Sequence, residues 1–214
     1  FMWVPEVPPV RDVAGNQTVF QAGEAGPVWR VVEGVVRLDR DHGPQALPVQ
    51  LALPGDLIGI EGLCDQRYQF TAIAFTGCRL EAVSQPSLSS AGVRDALMRQ
   101  VLLQQQERLQ DMARLRTGSV MQRMAHLLRL LGLPWQSPEE VPTGQADAIR
   151  AALPGLRELA QVVDAKTETV CRALAQLLPP RSRKSGPPRH KLSLLPMGRA
   201  MDWTVRRPAL AVAA

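Results

Sequence analysis

The sequence of 214 residues predicts an α+β protein with a β-rich first part and a helical second part. Short apolar runs separated by Gly, Pro, Asp and Asn fill residues 1–88, which is typical of strands joined by tight turns. From residue 89 to about residue 116 Leu, Met, Gln, Arg and Glu dominate, and all five favour helices. The apolar residues there recur at helical spacing, so the change in character marks a boundary between two kinds of structure.

The composition is that of an ordinary globular protein, because 45% of the residues are hydrophobic and 21% are charged. No run reaches the ~18 apolar residues that a membrane span needs, and the sequence shows no secretory signal pattern. We therefore expect a cytoplasmic protein with no membrane partner. The three cysteines are far apart and odd in number, which argues against a disulfide framework.

Residues 1–88 predict a small antiparallel barrel or roll of the cupin-like kind. The clearest strand candidates are the apolar runs 28–32, 35–38, 49–53 and 70–75. Turn signals occur at 22–24, 33–34, 41–44 and 54–56. Strands this short and this closely spaced fit a roll better than an open sheet.

Residues 89–116 predict one long helix, since they contain no Pro and a single Gly. Apolar residues alternate at steps of four and three, which is the stripe of a two-stranded coiled coil. We predict a homodimer interface along this stripe, formed by Met98, Leu102, Gln105, Leu109 and Met112. A helix packed on the core of its own domain is the alternative, although the polar Gln105 fits a subunit interface better.

Thr117-Gly118-Ser119 interrupts the long helix and is a candidate hinge. A second helix is expected to run to about Leu131, with Met124, Leu127, Leu128 and Leu131 on one face. Gly132-Leu133-Pro134 ends it, and the polar, Pro-rich segment 135–145 is predicted to be a loop.

Residues 156–178 predict two short helices joined by a tight turn, which is the helix-turn-helix unit. Asp164-Ala165 forms the turn, and Asp tolerates the left-handed conformation that such a turn needs. In the second helix the buried face is predicted to contain Val170, Ala173, Leu174 and Leu177.

The other face of that second helix has the chemistry of DNA recognition. Arg172 can donate two hydrogen bonds to guanine, and Glu168 can accept one from cytosine. Lys166, Thr167 and Thr169 are candidate contacts to phosphates or bases, near the helix end that enters the major groove. Two packed helices without a DNA role are the alternative, and the charge distribution weighs against it.

Positive charge is concentrated at the end of the sequence. Residues 172–214 contain nine Lys or Arg and one acidic residue, whereas residues 1–171 have a net charge of −3. After Pro179-Pro180 a basic turn leads into a strand candidate at 192–195, which predicts the wing of a winged helix. Such a wing contacts the DNA backbone, here through Arg181, Arg183, Lys184 and Arg189. A solvated basic tail remains the alternative.

On these residues the sequence resembles the Crp/Fnr superfamily of bacterial regulators. Glu168-Thr169-Val170-Cys171-Arg172 is similar to the E-T-V-x-R recognition helix of that family, and the Pro54-Gly55-Asp56 turn also matches. The resemblance implies a sensor domain over 1–88, a dimerisation helix and hinge over 89–118, and a winged helix-turn-helix domain over 119–214. It implies a dimer on palindromic double-stranded DNA and contact with RNA polymerase, with either an unidentified small-molecule effector or none.

The effector site departs from the family pattern. Cyclic-nucleotide sensors place Gly-Glu where this sequence has Gly59-Ile60, and Glu61 is expected to point elsewhere. The phosphate-binding Arg-Ser of those sensors corresponds to Tyr68-Gln69, with Arg67 adjacent. We therefore take these six residues as effector-pocket candidates and expect weak or no binding of cyclic AMP, because hydrogen bonds to charged groups contribute ~1.5–3 kcal/mol each.

No cofactor or metal is expected, since three dispersed cysteines cannot supply four cluster ligands and the histidines are isolated. Cys64 is either an exposed redox thiol or an ordinary cysteine. No catalytic residues are predicted, because the sequence has no nucleophile–base set, metal-ligand spacing or phosphate-binding loop. The alternative to a transcription regulator is a ligand-binding or protein-interaction module with a degenerate helix-turn-helix.

Overall fold

Eight strands form two four-stranded sheets in the first part of the chain, and all pairings among the described residues are antiparallel. The structure is a computed structural model that describes residues 9–42, 45–84, 90–133 and 143–178. The strand order is β1-β8-β3-β6 in one sheet and β2-β7-β4-β5 in the other. The strands are β1 Val10–Val13, β2 Thr18–Phe20, β3 Trp29–Glu33, β4 Val36–His42, β5 Gln45–Ala52, β6 Leu57–Ile58, β7 Thr71–Ala74 and β8 Cys78–Ala82. The antiparallel β domain that the sequence predicts is confirmed.

Side chains that alternate along these strands fill the space between the two sheets. Val31, Val36 and Leu80 are fully buried there, as the two-residue period of a strand requires. At the turn from β3 to β4, Gly34 adopts φ +80°, which L side chains rarely adopt. A Cβ at that position would lie 2.9 Å from the Sγ of Cys78, so only glycine fits.

A short 3-10 helix at Ile60–Cys64 lies between β6 and β7, and the described part of the chain after the roll contains five α-helices. They are α1 Ala91–Arg116, α2 Val120–Leu130, α3 Thr143–Ala152, α4 Leu156–Val162 and α5 Thr167–Leu177. The long helix and the second helix are therefore confirmed. The predicted loop 135–145 is wrong at its end, because α3 begins at Thr143; residues 134–142 lie outside the described residues. Ala146 and Ile149 are buried about one turn apart and form the packing face of α3. The polar residues around them led the sequence analysis to predict a loop at the start of this helix.

Helix α1 is attached to the roll by the side chain of Gln104. Its Oε1 accepts a hydrogen bond from the backbone N–H of Leu57 at 2.8 Å, and its Nε2 donates to the carbonyl of the same residue at 2.8 Å. Gln104 is 1% exposed. One turn earlier, Gln100 Nε2 donates to the carbonyl oxygen of Gly55 at 2.9 Å. The amides of α1 therefore hold the β6 region by its backbone.

The helices share a core with one end of the roll. Met124, Leu128 and Leu159 are buried in a cluster that also contains Leu51 and Phe75 of the roll. The predicted buried face of α2 is confirmed, since Met124, Leu127, Leu128 and Leu131 are at most 7% exposed. Among the described helices, none is long and apolar enough to cross a bilayer.

The junction between α1 and α2 is a sharp break with its own capping interactions. Thr117 is the C-cap of α1, and Gly118 adopts φ +80°. The hydroxyl of Ser119 accepts from the backbone N–H of Gln122, while the Gln122 side chain accepts from the backbone N–H of Ser119. This reciprocal cap satisfies two donors that a helix start leaves free.

Candidate nucleic-acid interface and ligand cavity

The turn between α4 and α5 has the geometry that the sequence predicts. Asp164 adopts φ 48°, so the expected left-handed residue at this turn is confirmed. Arg123 of α2 braces the turn, because its Nη1 donates to the carbonyls of Val163 at 3.0 Å and Asp164 at 3.2 Å. These contacts fix the direction in which α5 leaves the turn.

Helix α5 separates into a buried and an exposed face. The predicted buried residues Val170, Ala173, Leu174 and Leu177 are the ones the structure buries. The predicted DNA-contact residues of the helix are all exposed, namely Lys166, Thr167, Glu168, Thr169 and Arg172. Because α5 projects these side chains from its N-terminal half, they are free to meet a partner surface.

An open depression of about 750 Å³ lies against this end of α5. Lys166, Thr167 and Glu168 line one side, and Arg157 and Gln161 of α4 line another. Sequence reasoning missed Arg157 and Gln161 as members of this surface. Their position on the exposed face of α4, opposite buried Leu159, was the available signal. The predicted wing residues Arg181, Arg183, Lys184 and Arg189 lie outside the described residues.

The residues of the predicted dimer stripe of α1 differ in their exposure to solvent. Leu102 and Leu109 are 63% and 68% exposed, and Met98 is also exposed. Met112, in contrast, is 7% exposed and packs in the chain's own core, because the inward face of α1 reaches this position near the end of the helix. Gln105 is half-buried and lines a cavity in the roll. We call the exposed residues Met98, Leu102 and Leu109 the stripe face.

The cavity that Gln105 lines has a volume of about 260 Å³, and we call it the roll cavity. Strands β4 and β5, the β6 region with its 3-10 helix, and α1 all contribute to its wall. Its lining is largely apolar: Phe20, Leu38, Val49, Gln50, Leu57, Ile58, Gly59, Ile60, Glu61, Phe70 and Gln105. The cavity therefore touches both the roll and the long helix.

Only half of the predicted effector candidates line this cavity. Gly59, Ile60 and Glu61 do. Glu61 Oε1 accepts an exposed hydrogen bond from the backbone N–H of Gln69 at 3.0 Å. Gly59, at φ 65°, passes so close to Tyr68 that a Cβ would lie 2.5 Å from the ring.

Arg67, Tyr68 and Gln69 are not part of the cavity wall. Arg67 is exposed, and its Nη1 donates to the carbonyl of Gly23 at 2.9 Å. Tyr68 is buried with its ring stacked on Phe20 at 3.8 Å. The side chain of Gln69 is exposed. Sequence reasoning placed these three at the site because it could not foresee that the ring of Tyr68 fills core space; Phe70, two residues on, lines the cavity instead.

A chain of ion pairs and hydrogen bonds runs from the roll through α1 to α2. Arg108 Nε lies 3.0 Å from Asp56 Oδ2, and Arg108 Nη1 lies 2.5 Å from Asp111 Oδ2. Asp111 Oδ1 in turn lies 3.1 Å from His126 Nε2. Asp56 is 1% exposed and Arg108 is 8% exposed. We call these four residues the ion chain; it ties the turn before β6 to the second helix.

The cysteines and other metal-ligating side chains form no cluster in the part of the chain that the structure describes. Cys64 and Cys171 are exposed, and Cys78 is buried. Burial raises the pKa of the Cys78 thiol to about 11. His126 contacts Asp111, which gives it a structural role.

Comparison with known proteins is consistent with this geometry. No curated protein sequence matches the chain. A CRP-family transcriptional regulator from Thermus thermophilus is similar in structure, with 26% identity, a TM-score of 0.59, and coverage of 78% of this chain and 83% of that one. The c-di-GMP responsive global regulator CLP of Xanthomonas campestris shares the fold at 22% identity and a TM-score of 0.53, over 78% of this chain and 84% of that one. Residues 10–92 match the family model of the cyclic nucleotide-binding domain, and the fold of the chain is similar to that of CRP-family regulators.

Proposed function

We propose that this protein is a transcription regulator of the Crp/Fnr type that binds a palindromic operator as a dimer. The observation that carries the proposal is the polarity of α5, whose buried face seats the helix while Glu168, Thr169 and Arg172 stay exposed. A helix that packs through its buried face and follows a turn held by hydrogen bonds can insert its N-terminal half into the major groove. The similarity to CRP-family regulators supports the same function.

Dimerisation is the second part of the proposal. The stripe face of α1 leaves two leucines and a methionine more than two-fifths exposed, which a partner helix would cover. Two copies paired along α1 would present two α5 helices to adjacent turns of DNA, whose half-sites lie ~34 Å apart. Contact with RNA polymerase would follow in a regulator of this type. The Thr117-Gly118-Ser119 junction is the hinge through which the roll would act on the DNA-binding helices.

Selection of operators from a random DNA pool, followed by fluorescence anisotropy with the full chain, tests this function. We expect a palindromic sequence to be enriched, and its affinity to fall steeply with salt because phosphate contacts release counterions. Arg172→Ala should lose discrimination at one base pair of each half-site by ~1–3 kcal/mol. Arg99→Ala removes the same charge from an exposed site on α1 and serves as the matched control.

The result that rejects the proposal is equally concrete. If no sequence is enriched, the chain is a binding module with a degenerate helix-turn-helix. If Arg172→Ala and Arg99→Ala bind every operator variant as the parent does, Arg172 does not contact a base. Losses of equal size for both variants would indicate a general charge effect without base recognition.

A further inference from the structure

The side chain of Arg123 contacts both the α1–α2 junction and the turn between α4 and α5. Its Nε donates to the carbonyl oxygen of Gly118 at 3.1 Å. Its Nη1 donates to the carbonyl oxygens of Val163 at 3.0 Å and Asp164 at 3.2 Å. Gly118 belongs to the junction, whereas Val163 and Asp164 lie at the turn from which α5 leaves. One guanidinium therefore connects the two places.

The shape of the guanidinium makes this double contact directional. The group is planar, and its N–H bonds leave different nitrogen atoms at fixed angles. Gly118 adopts φ +80° and Asp164 adopts φ 48°, so the group holds a left-handed residue at each end. Because the group is rigid, a movement of the Gly118 carbonyl that keeps its hydrogen bond must also move the second donor, and with it the turn.

The far end of α5 is held by another arginine. Arg150 of α3 donates from Nη2 to the carbonyl oxygen of Leu178, the C-cap of α5, at 3.2 Å. Its Nη1 donates to Asp147 Oδ1 at 3.3 Å. Both of these bonds join residues of the helical part. Of the two arginines that hold the ends of α5, Arg123 is the one that contacts the junction.

We propose that Arg123 is a positioning residue for DNA recognition. It transmits the backbone conformation of the junction to the turn before α5, and so sets the direction in which α5 presents Glu168 and Arg172. It acts through the backbone of the turn and needs no contact with DNA. As a statement about DNA recognition the inference rests on the proposed function, whereas the link between junction and turn is a property of the folded chain.

A double-mutant cycle, measured by NMR on the full chain without DNA, tests the link. Gly118→Ala changes the junction backbone, because alanine is strained at φ +80°. We expect this change to shift the carbonyl carbon resonances of Val163 and Asp164 in the parent, and to leave them unshifted in the Arg123→Met background. The shift should persist in Arg150→Met, which removes the same charge and a bond of the same kind at the other end of α5.

Arg123→Lys separates positioning from a direct contact between the charge and DNA. Lysine keeps the charge, but all its donors are on one nitrogen, whereas Arg123 uses two. We expect Arg123→Lys and Arg123→Met to weaken binding of the selected operator by a similar factor of about 10, the effect of one or two lost hydrogen bonds. The slope of log affinity against log salt should keep its parent value in Arg123→Met, because loss of a phosphate contact would reduce it by about 0.9.

Four results overturn the proposal. These are a shift at the turn that is as large in Arg123→Met as in the parent, no shift at the turn in the parent, parent-like operator affinity in Arg123→Lys, and a reduced salt slope in Arg123→Met. If Arg123→Met does not fold, Arg123→Lys replaces it in the cycle and in the salt series, with the same expectations.

The two assays separate this proposal from the proposed function. A link seen by NMR in a protein that selects no operator would retain the coupling of junction and turn and reject the regulator. An operator selected by a protein without the link would retain the regulator and reject the role of Arg123.

Discussion

At the scale of single residues, Cys78 shows how burial controls chemistry. Its Sγ lies 3.2 Å from the carbonyl oxygens of Val35 and Thr76, and the side chain is 5% exposed. Desolvation opposes the thiolate and raises the pKa of the thiol to about 11. Thiolate is the reactive form of cysteine, so this cysteine is protected while the protein is folded.

We predict that a thiol-specific disulfide reagent at pH 8 labels Cys64 and Cys171 rapidly and labels Cys78 only after denaturant is added. The two fast sites are exposed, and the third is buried. Mass spectrometry of the labelled peptides would assign each site. Rapid labelling of Cys78 in the folded chain would contradict the burial described here.

The same thiol also links folding to pH. Its folded pKa is raised from 9.0 to about 11, so its favourable contribution is complete below pH 9 and is lost as the pH rises through 11. We predict that the free energy of unfolding falls more steeply between pH 9 and 11 in the parent than in Cys78→Ala. Urea titrations of both proteins across this range measure the difference. Parallel curves would refute the link.

At the scale of elements, two glycines of the helical part differ in whether a side chain could replace the glycine hydrogen. Gly118 has φ +80°, and a Cβ there would lie 2.7 Å from Gln122 Oε1, which belongs to the α2 cap. Gly92 lies in the first turn of α1, and a Cβ added to it would meet no atom within 4 Å. The first position needs glycine and the second does not.

We predict that Gly118→Ala destabilises the protein by about 1 to 2 kcal/mol, because an L residue is strained in that conformation. Gly92→Ala should instead stabilise it by about 0.5 kcal/mol through the lower entropy of the unfolded chain. Denaturant unfolding of the two variants gives both numbers. Effects of the same sign would argue against the junction geometry.

The stripe face of α1 gives the second prediction at this scale. Leu102→Lys and Leu109→Lys should convert a dimer to a monomer while the fold is retained, because each places a charge in the proposed interface. Leu103→Lys is the matched control, since Leu103 is 57% exposed and lies about 100° further round the helix. Analytical ultracentrifugation with circular dichroism measures both properties. Dissociation by the control alone would place the interface elsewhere.

At the scale of the whole molecule, the ion chain joins three parts of the fold. Arg108→Met removes the guanidinium that lies between Asp56 and Asp111. Breaking a buried pair by removing one partner costs about 3 to 5 kcal/mol, so we predict a loss of this size in unfolding free energy. Arg114→Met, at an exposed position on the same helix, should change stability little. Equal stability of the two variants would show that the ion chain contributes nothing.

Much of this architecture could be predicted from sequence because it depends on local periodicity. The buried face of α5 and the break after Arg116 follow from residue spacing and turn chemistry alone. The roll cavity does not, because residues such as Phe20, Gln50 and Gln105 meet only when distant strands and α1 pack together. The burial of Gln104 could not be predicted from sequence either. Its neighbour Gln105 fits the apolar stripe better, and Gln104 is buried because it hydrogen-bonds to the backbone of Leu57, 47 residues away.

The two hydrogen bonds between Gln104 and Leu57 make a side chain act like a neighbouring strand. One amide group supplies both the acceptor and the donor that a paired peptide unit would offer. The short strand β6 has only two residues, so the long helix completes its pairing where β sheet ends. Exchange of the Leu57 amide hydrogen with solvent deuterium therefore reports whether α1 is packed on the roll. The exchange is slow while the hydrogen bond to Gln104 is intact and becomes faster when α1 separates from β6.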